Sequence, residues 1–380
     1  MKSTELKRTW SLPFSVVVAA LATLLVLSLS VTSSNAEDGL LAQEGSVPCL
    51  DTNDTLEDLV YCIYDYMPHR FSVDDRDGFD VPTAAELAQW RAVVEQMMNG
   101  ECDTIDLGQY DWGDDFTVTT FADLENGNTY CVFMETSYEA YPDPIGSRVT
   151  HGWGTFIYNP AYLRELNISA PHVKYEAWTD LEATAIFKRT RSRTLLMTGA
   201  HRYASDVDSG CQPDRKRSDA AHNVDHMFHA AVAELMEYYD THNATFHHLQ
   251  FHGMGTSSCP GVDVYVTHGS ATAPVAGDKI LELQTNLVYH NPTWTVTVPG
   301  HSPACILNGT TNVQGRLING VATDQVCGTV AAGYSGHFIH IEQHKAYRDA
   351  NYWFAAVNDT WSVRVYYFPL MASSSIAFTQ

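Results

Sequence analysis

A few residues have types and settings that suit hydrolytic metal chemistry. His172 closes the apolar run "LNISAPH", and Glu176 follows it by four positions. His201 and Arg202 end "RTLLMTGAHR", His252 stands in "LQFHGMG", and Glu342 stands in "HFIHIEQH". Two histidines and one carboxylate are the protein ligands of a catalytic zinc, which keeps a further position for water. A carboxylate that does not bind the metal can take a proton from that water. An arginine can hold a substrate carboxylate through paired hydrogen bonds or steady a developing oxyanion.

Such residues work only if the chain brings them to one point, so the elements that carry them matter. From about residue 151 strand-like and helix-like stretches alternate: "LNISAPH", then "WTDLEATAIFKRT", then "RTLLMTGAHR". A polar loop, a helix over "AHNVDHMFHAAVAELMEYYDTH" and the strands "ATFHHLQFHGMG", "VDVYVTHG" and "HFIHIEQH" follow. This alternation predicts an α/β domain over residues 151–380, with a mostly parallel or mixed sheet flanked by helices. In such sheets ligands gather outside the carboxyl ends of the strands, where the candidates fall. Residues 37–150 read as a smaller acidic extension with helical pieces. One of these opens on Thr83 with Glu86 three positions later, a capping box, and ends at Gly100.

The order of these elements resembles the zinc carboxypeptidase clan, which takes in metallocarboxypeptidases, aspartoacylase-like enzymes and N-formylglutamate amidohydrolases. "APHVKYE" is similar to the first ligand pair, "GAHR" to a strand end carrying arginine, and "LQFHGMG" to the third-ligand strand. "HFIHIEQHKAYRD" is similar to the terminal strand and the helix after it. The resemblance implies Zn²⁺ on His172, Glu176 and His252, with Glu342 as general base and then acid. Arg202 would orient substrate or steady the oxyanion. It implies a substrate bearing a carboxylate: an N-acyl amino acid, a peptide C-terminus or a glutamyl polymer. The carboxypeptidases space their first pair as HxxE, whereas this chain has HxxxE, so Asp180 stays open as a rival to Glu176.

A second group, His222, Asp225, His226 and His229, falls on the predicted helix. Positions 222, 226 and 229 share one face by spacing. Asn223 breaks an HExxH pattern, so the helix is expected to start beside the site, with His226 and His201 among the substrate contacts. Blander readings exist for each residue taken singly. His172 and Glu176 could be a hydrogen-bonded pair, and Arg202 could pair with Asp206 or Asp208. Two other functions compete: an inactive extracellular interaction protein that keeps the fold, and a metal-dependent esterase.

Bulk properties narrow the field. Forty-five acidic residues against 22 basic ones give a net charge of −23, which argues against nucleic acid as a partner. The first residues run from Lys2, Lys7 and Arg8 through a long apolar stretch to "TSSNA". That is the pattern of a secretory signal peptide over residues 1–36, or of an uncleaved membrane anchor. Eight cysteines scattered singly predict disulfides in an oxidising compartment. Proximity suggests Cys49–Cys62, Cys102–Cys131, Cys211–Cys259 and Cys305–Cys327. Sequons at Asn53, Asn167, Asn243, Asn308 and Asn358 agree with a secretory route, and Asn167 is expected to stay bare. Oligomeric state is not legible.

Overall fold

A computed structural model describes residues 43–71, 77–140 and 146–363. The expected signal or anchor segment lies outside the described residues. Among these, no helix is long and apolar enough to cross a membrane.

In chain order the strands are β1 (Gln43–Ser46), β2 (Phe116–Ala122), β3 (Thr129–Glu135), β4 (Ser137–Ala140), β5 (Arg148–Val149) and β6 (Thr155–Tyr158). They continue with β7 (Arg164–Ala170), β8 (Ser192–Met197), β9 (His247–Gly253), β10 (Val264–Thr267), β11 (Val296–Thr297) and β12 (Phe338–Gln343). The helices are α1 (Cys49–Thr52), α2 (Leu56–Tyr66), α3 (Ala84–Met98), α4 (Thr179–Thr190), α5 (Met227–Thr241), α6 (Lys279–His290), α7 (Val313–Ile318) and α8 (Ala350–Thr360).

Nine strands form one mixed sheet in the order β11-β10-β12-β9-β7-β8-β6-β3-β2, and β1, β4 and β5 form a separate three-stranded sheet. The central strands β12, β9, β7 and β8 are parallel, whereas β10, β6, β3 and β2 join antiparallel. The boundary expected at residue 150 is therefore not a boundary in the sheet. Strands β2 and β3, from the supposed extension, complete the edge beyond β6. The expected capping box is present at α3, with Thr83 and Glu86 bonding reciprocally.

Side chains alternate across the strands, so each face needs its own cover. Ile168, Leu195, Leu249, Phe251, Ile339 and Ile341 pack with Ile186, Phe187, Leu283 and Trp353 of α4, α6 and α8. On the opposite face Phe133, Phe156, Leu196 and Phe338 pack with Trp90, Val94, Phe228 and Leu235 of α3 and α5. Each such fully buried side chain contributes roughly 1.5–3 kcal/mol. That second face also carries a polar column. Ser169 meets His248 at 2.7 Å, and Gln250 and His252 follow on alternate positions of β9, leading to the carboxyl end.

Four disulfides close the described chain. Cys49–Cys62 and Cys102–Cys131 are as expected, but the other two are Cys211–Cys327 and Cys259–Cys305. Proximity in sequence fails because Arg316 Nη1 donates to Val326 O and Cys327 O, turning Cys327 back over α7. Gln212, next to Cys211, is tied to the same region through Thr311 O at 2.8 Å. Asn167 is fully buried, in keeping with a bare sequon.

The loop carrying Arg202 rests on a charged turn. Gly199 lets the backbone of Gly152 and Gly154 approach where a Cβ would clash, at 2.3 Å from Gly154 N. The adjacent His151 bonds Asp115 at 2.9 Å and lies 3.3 Å from Asp80. Burial alone would lower its pKa, but Asp80, Glu135 and Asp115 raise it to about 9. A raised histidine gives stability that is present below its unfolded value near 6.5 and lost as pH rises through 9. Stability followed by thermal melts should therefore fall by about 3 kcal/mol between pH 6 and 10, and His151→Gln should flatten the loss. An unchanged slope in the variant would contradict the assignment.

Candidate metal centre

Strand β7 ends at Ala170, and the chain then makes a single helical turn. The amides of Tyr175 and Glu176 both donate to His172 O, at 2.9 and 2.8 Å. Residues four apart share a face of such a turn, so Glu176 folds back onto His172 despite the longer HxxxE spacing. Trp178, at φ 75°, stops the turn before α4 begins. Asp180 is carried away into the first turn of α4. Its carboxyl, pushed up to about 6 by burial, interacts with Lys174 and Asp65 instead. Glu176, and not Asp180, meets His172.

His252 comes from the end of β9, and the parallel register sets Glu342 of β12 directly beside it. One ligand atom each from His172, Glu176 and His252 lies within 4.8 Å of the others, and all three residues are buried. His172 Nδ1 is 2.9 Å from Glu176 Oε1, and His252 Nδ1 is 3.4 Å from Glu176 Oε2. The far side of each ring is anchored. His172 Nε2 bonds Asp219 Oδ1 at 2.8 Å, and His252 Nε2 bonds Gln250 Oε1 at 2.8 Å. Gln250 Oε1 also accepts from Asn312 Nδ2, so its oxygen faces His252. Both Nε2 atoms therefore carry the proton, and both Nδ1 atoms face Glu176, with Arg202 Nη1 also 3.4 Å from His172 Nδ1. Lone pairs facing a carboxylate repel unless a cation, or a further proton, lies between them. The donor set fits a divalent metal held by two imidazoles and a carboxylate, with the outer hydrogen bonds that orient such ligands.

The electrostatics agree with a cation-seeking site. Burial would raise Glu176, but His172 and His252 hold it well below the usual carboxylate range. Burial and Arg202 pull His172 down, yet Glu176 and Asp219 win and raise it. Burial depresses His252. Glu342 moves the other way: burial and the Glu176 charge push it well above its ordinary value.

Metallo-carboxypeptidases are among the solved structures that this chain resembles. One from Burkholderia cenocepacia is 10% identical, covering 73% of this chain and 68% of its own, with a TM-score of 0.26. One from Pseudomonas aeruginosa, in complex with (2-guanidinoethylmercapto)succinic acid, is 10% identical, covering 67% and 80%, with a TM-score of 0.26. A gene product of Agrobacterium tumefaciens is 10% identical over 53% of this chain and 90% of its own, with a TM-score of 0.31. No family model and no curated protein matches the sequence.

A cavity of about 350 Å³ opens over these residues, lined by His172, Glu176, Arg202, His252 and Glu342 together with Arg215, His222, His340 and the loop from Ile306 to Asn312. Arg202 is largely committed: its Nε donates to Asp219 Oδ2 at 3.0 Å and its Nη2 bonds the same oxygen. Its Nη1 lies 3.4 Å from His172 Nδ1 and 3.8 Å from Glu176 Oε1. Arg215 is the freer cation, since its buried Nε has no hydrogen-bond partner and its Nη1 is 3.6 Å from Asp214. His222 Nδ1 bonds Gln212 Oε1 at 2.9 Å. Gln212 donates through its amide nitrogen to Thr311 O, so the oxygen faces His222, whose Nε2 keeps a lone pair. Burial brings His222 down to about 3, leaving it a neutral acceptor.

Two sequence expectations do not reach the cavity. His201 turns away, accepting from Tyr203 N at 3.0 Å and packing against Tyr175 and Tyr203. His226 caps α5, accepting from Phe228 N at 3.1 Å and stacking on Phe79. The helix starts at Met227, not near residue 221, because Asn223 bonds the backbone of Arg217 and Asp225 and holds a turn there. His222 is thereby freed from the helix and reaches the cavity. Asp219, Gln250, Arg215 and His340 were missed. Gln250 and His340 had a signal in the alternation that leads to His252 and Glu342, whereas Asp219 and Arg215 sit in an irregular loop with none. A further acidic group, Glu57, Asp123 and Glu125, is occupied by the Lys188 ammonium, 3.0 Å from Asp123.

Proposed function

We propose that this protein is a zinc-dependent hydrolase of the secretory route that cleaves an amide or peptide bond next to a carboxylate. The observation that carries the reading is the pair of imidazoles whose anchored Nε2 atoms leave both Nδ1 atoms facing Glu176. Nitrogen and carboxylate donors in this ratio suit Zn²⁺. Four disulfides match an oxidising compartment.

Zinc held by His172, Glu176 and His252 would supply Lewis acidity and an acidified water. Glu342, at the cavity wall beside His252, would serve as the base toward the attacking water and as the acid toward the leaving nitrogen. Arg202, fixed by Asp219, would steady the carbonyl oxygen as it gains charge. Arg215 binds the substrate carboxylate with its uncommitted donors. His222 Nε2 accepts from the substrate's amide N–H, which an ester lacks, and this favours amides over the esterase alternative.

A panel of N-acyl amino acids, their ester counterparts and their C-terminal carboxamides tests this reading. Hydrolysis of the amides should stop with 1,10-phenanthroline and return with Zn²⁺, and the carboxamides should react about 10-fold or more slowly. Turnover insensitive to the chelator, or faster on esters and carboxamides, would overturn it.

A further inference from the structure

Behind the centre, on the side away from the cavity, lies a buried arginine that the proposed chemistry does not use. Arg348 Nη1 donates to Ala177 O at 2.8 Å. Its Nε and Nη2 donate to Gln343 O at 3.4 and 3.3 Å. The guanidinium also presses against Gly253, where an added Cβ would lie 1.9 Å from Nη2 and 2.2 Å from Cζ. These three neighbours are the residues that directly follow Glu176, His252 and Glu342.

We infer that Arg348 is the positioning residue that fixes the turn of Glu176, the end of β9 and the end of β12 relative to one another. This inference rests on the metal-centre reading above and adds to it. Strand pairing sets β9 beside β12, but the Glu176 turn is outside the sheet and needs another tie. Gly253 N donates to Glu176 Oε2 at 2.9 Å, and Met254 N donates to Gln343 O at 3.0 Å. Arg348 closes this ring from behind with a planar fork that reaches two carbonyls at once, which a lysine ammonium on a flexible stem cannot match. Gly253 is required because only a residue without Cβ lets the guanidinium approach.

Burial alone does not give a residue this part. Arg193 is also buried, but it sits among Tyr162, Tyr238 and Tyr239 and pairs with Glu165 at 2.8 Å, touching none of the three segments. It serves as the control for a purely structural arginine.

The test uses the full chain loaded with Co²⁺, whose visible spectrum reports ligand geometry, together with chelator competition for metal affinity. Arg348→Met keeps the stem and removes the donors. It should change the Co²⁺ spectrum and weaken metal binding at least about 10-fold, with Arg348→Lys in between. Gly253→Ala, which perturbs the same contact from the other side, should shift the spectrum in the same way. It provides the answer if Arg348→Met fails to fold. Arg193→Met should lower thermal stability and leave the spectrum unchanged. A wild-type spectrum and affinity in Arg348→Met, or in Gly253→Ala where Arg348→Met does not fold, would overturn the inference while leaving the metal centre standing. Wild-type protein that binds no Co²⁺ would remove the centre itself, and the role of Arg348 with it.

Discussion

Glu342→Gln should lower kcat by about 10³–10⁴ while the protein keeps its full complement of metal. The substitution is nearly isosteric, and Glu342 makes no hydrogen bond that the fold depends on. His340 Nε2 is 3.8 Å away, and burial depresses that histidine well below its ordinary range. The variant therefore loses the proton-carrying oxygen and little else. Burial and Glu176 already make the buried Glu342 carboxylate costly, so a neutral amide should leave stability equal or higher. KM for an N-acyl amino acid should change little, because Arg215 and His222 remain. Metal analysis, thermal melting and steady-state kinetics on one preparation check all three points. Retained turnover would show that the general base is another group, even with the metal site intact.

Asp219→Ala should have the second large effect, and it should act on stability and metal binding together. Asp219 is fully buried and bonds His172 Nε2 with one oxygen and Arg202 with the other. Burial would raise its pKa, but His172 and Arg202 depress it strongly. Removing it takes away the closer carboxylate partner of the Arg202 guanidinium, 13% exposed at the side chain, and leaves only Glu176 at 3.8 Å. Breaking one partner of such a pair costs about 3–5 kcal/mol. It also frees the His172 ring to turn or change tautomer, which should weaken metal binding about 10–100-fold. Asp219→Asn keeps an acceptor for His172 and should fall between wild type and alanine on both measures. Equal losses in the two variants would mean that charge, and not ring orientation, is what Asp219 supplies.

What could be seen in the sequence divides along physical lines. The strands that carry the centre are legible because period-2 alternation and bounding turns mark them. His252 and Glu342 then follow as residues at carboxyl ends. The His172–Glu176 spacing looked one residue too long, yet a single helical turn makes four the natural separation. Loop chemistry was not legible. Asp219 stands 47 positions from His172 in a stretch without periodicity, so no local pattern connects them. The helix beginning was misplaced because i, i+4, i+7 histidines imitate a helix face, while Asn223 satisfies backbone groups in a turn. Disulfide partners were misassigned for a similar reason: Cys327 turns back over α7 toward Cys211 through Arg316, and sequence distance says nothing of that. Residues before 150 looked separate because their acidity is a surface property, while the apolar face of β3 belongs to the common core.

The most direct test of the account is metal titration of the apo protein, with wild type compared with His172→Ala and His252→Ala. One equivalent of Zn²⁺ should bind to the wild type and restore amide hydrolysis, with affinity lost by orders of magnitude in both variants. Wild-type protein that takes up no stoichiometric zinc after chelation, or variants that bind it equally well, would contradict the assignment.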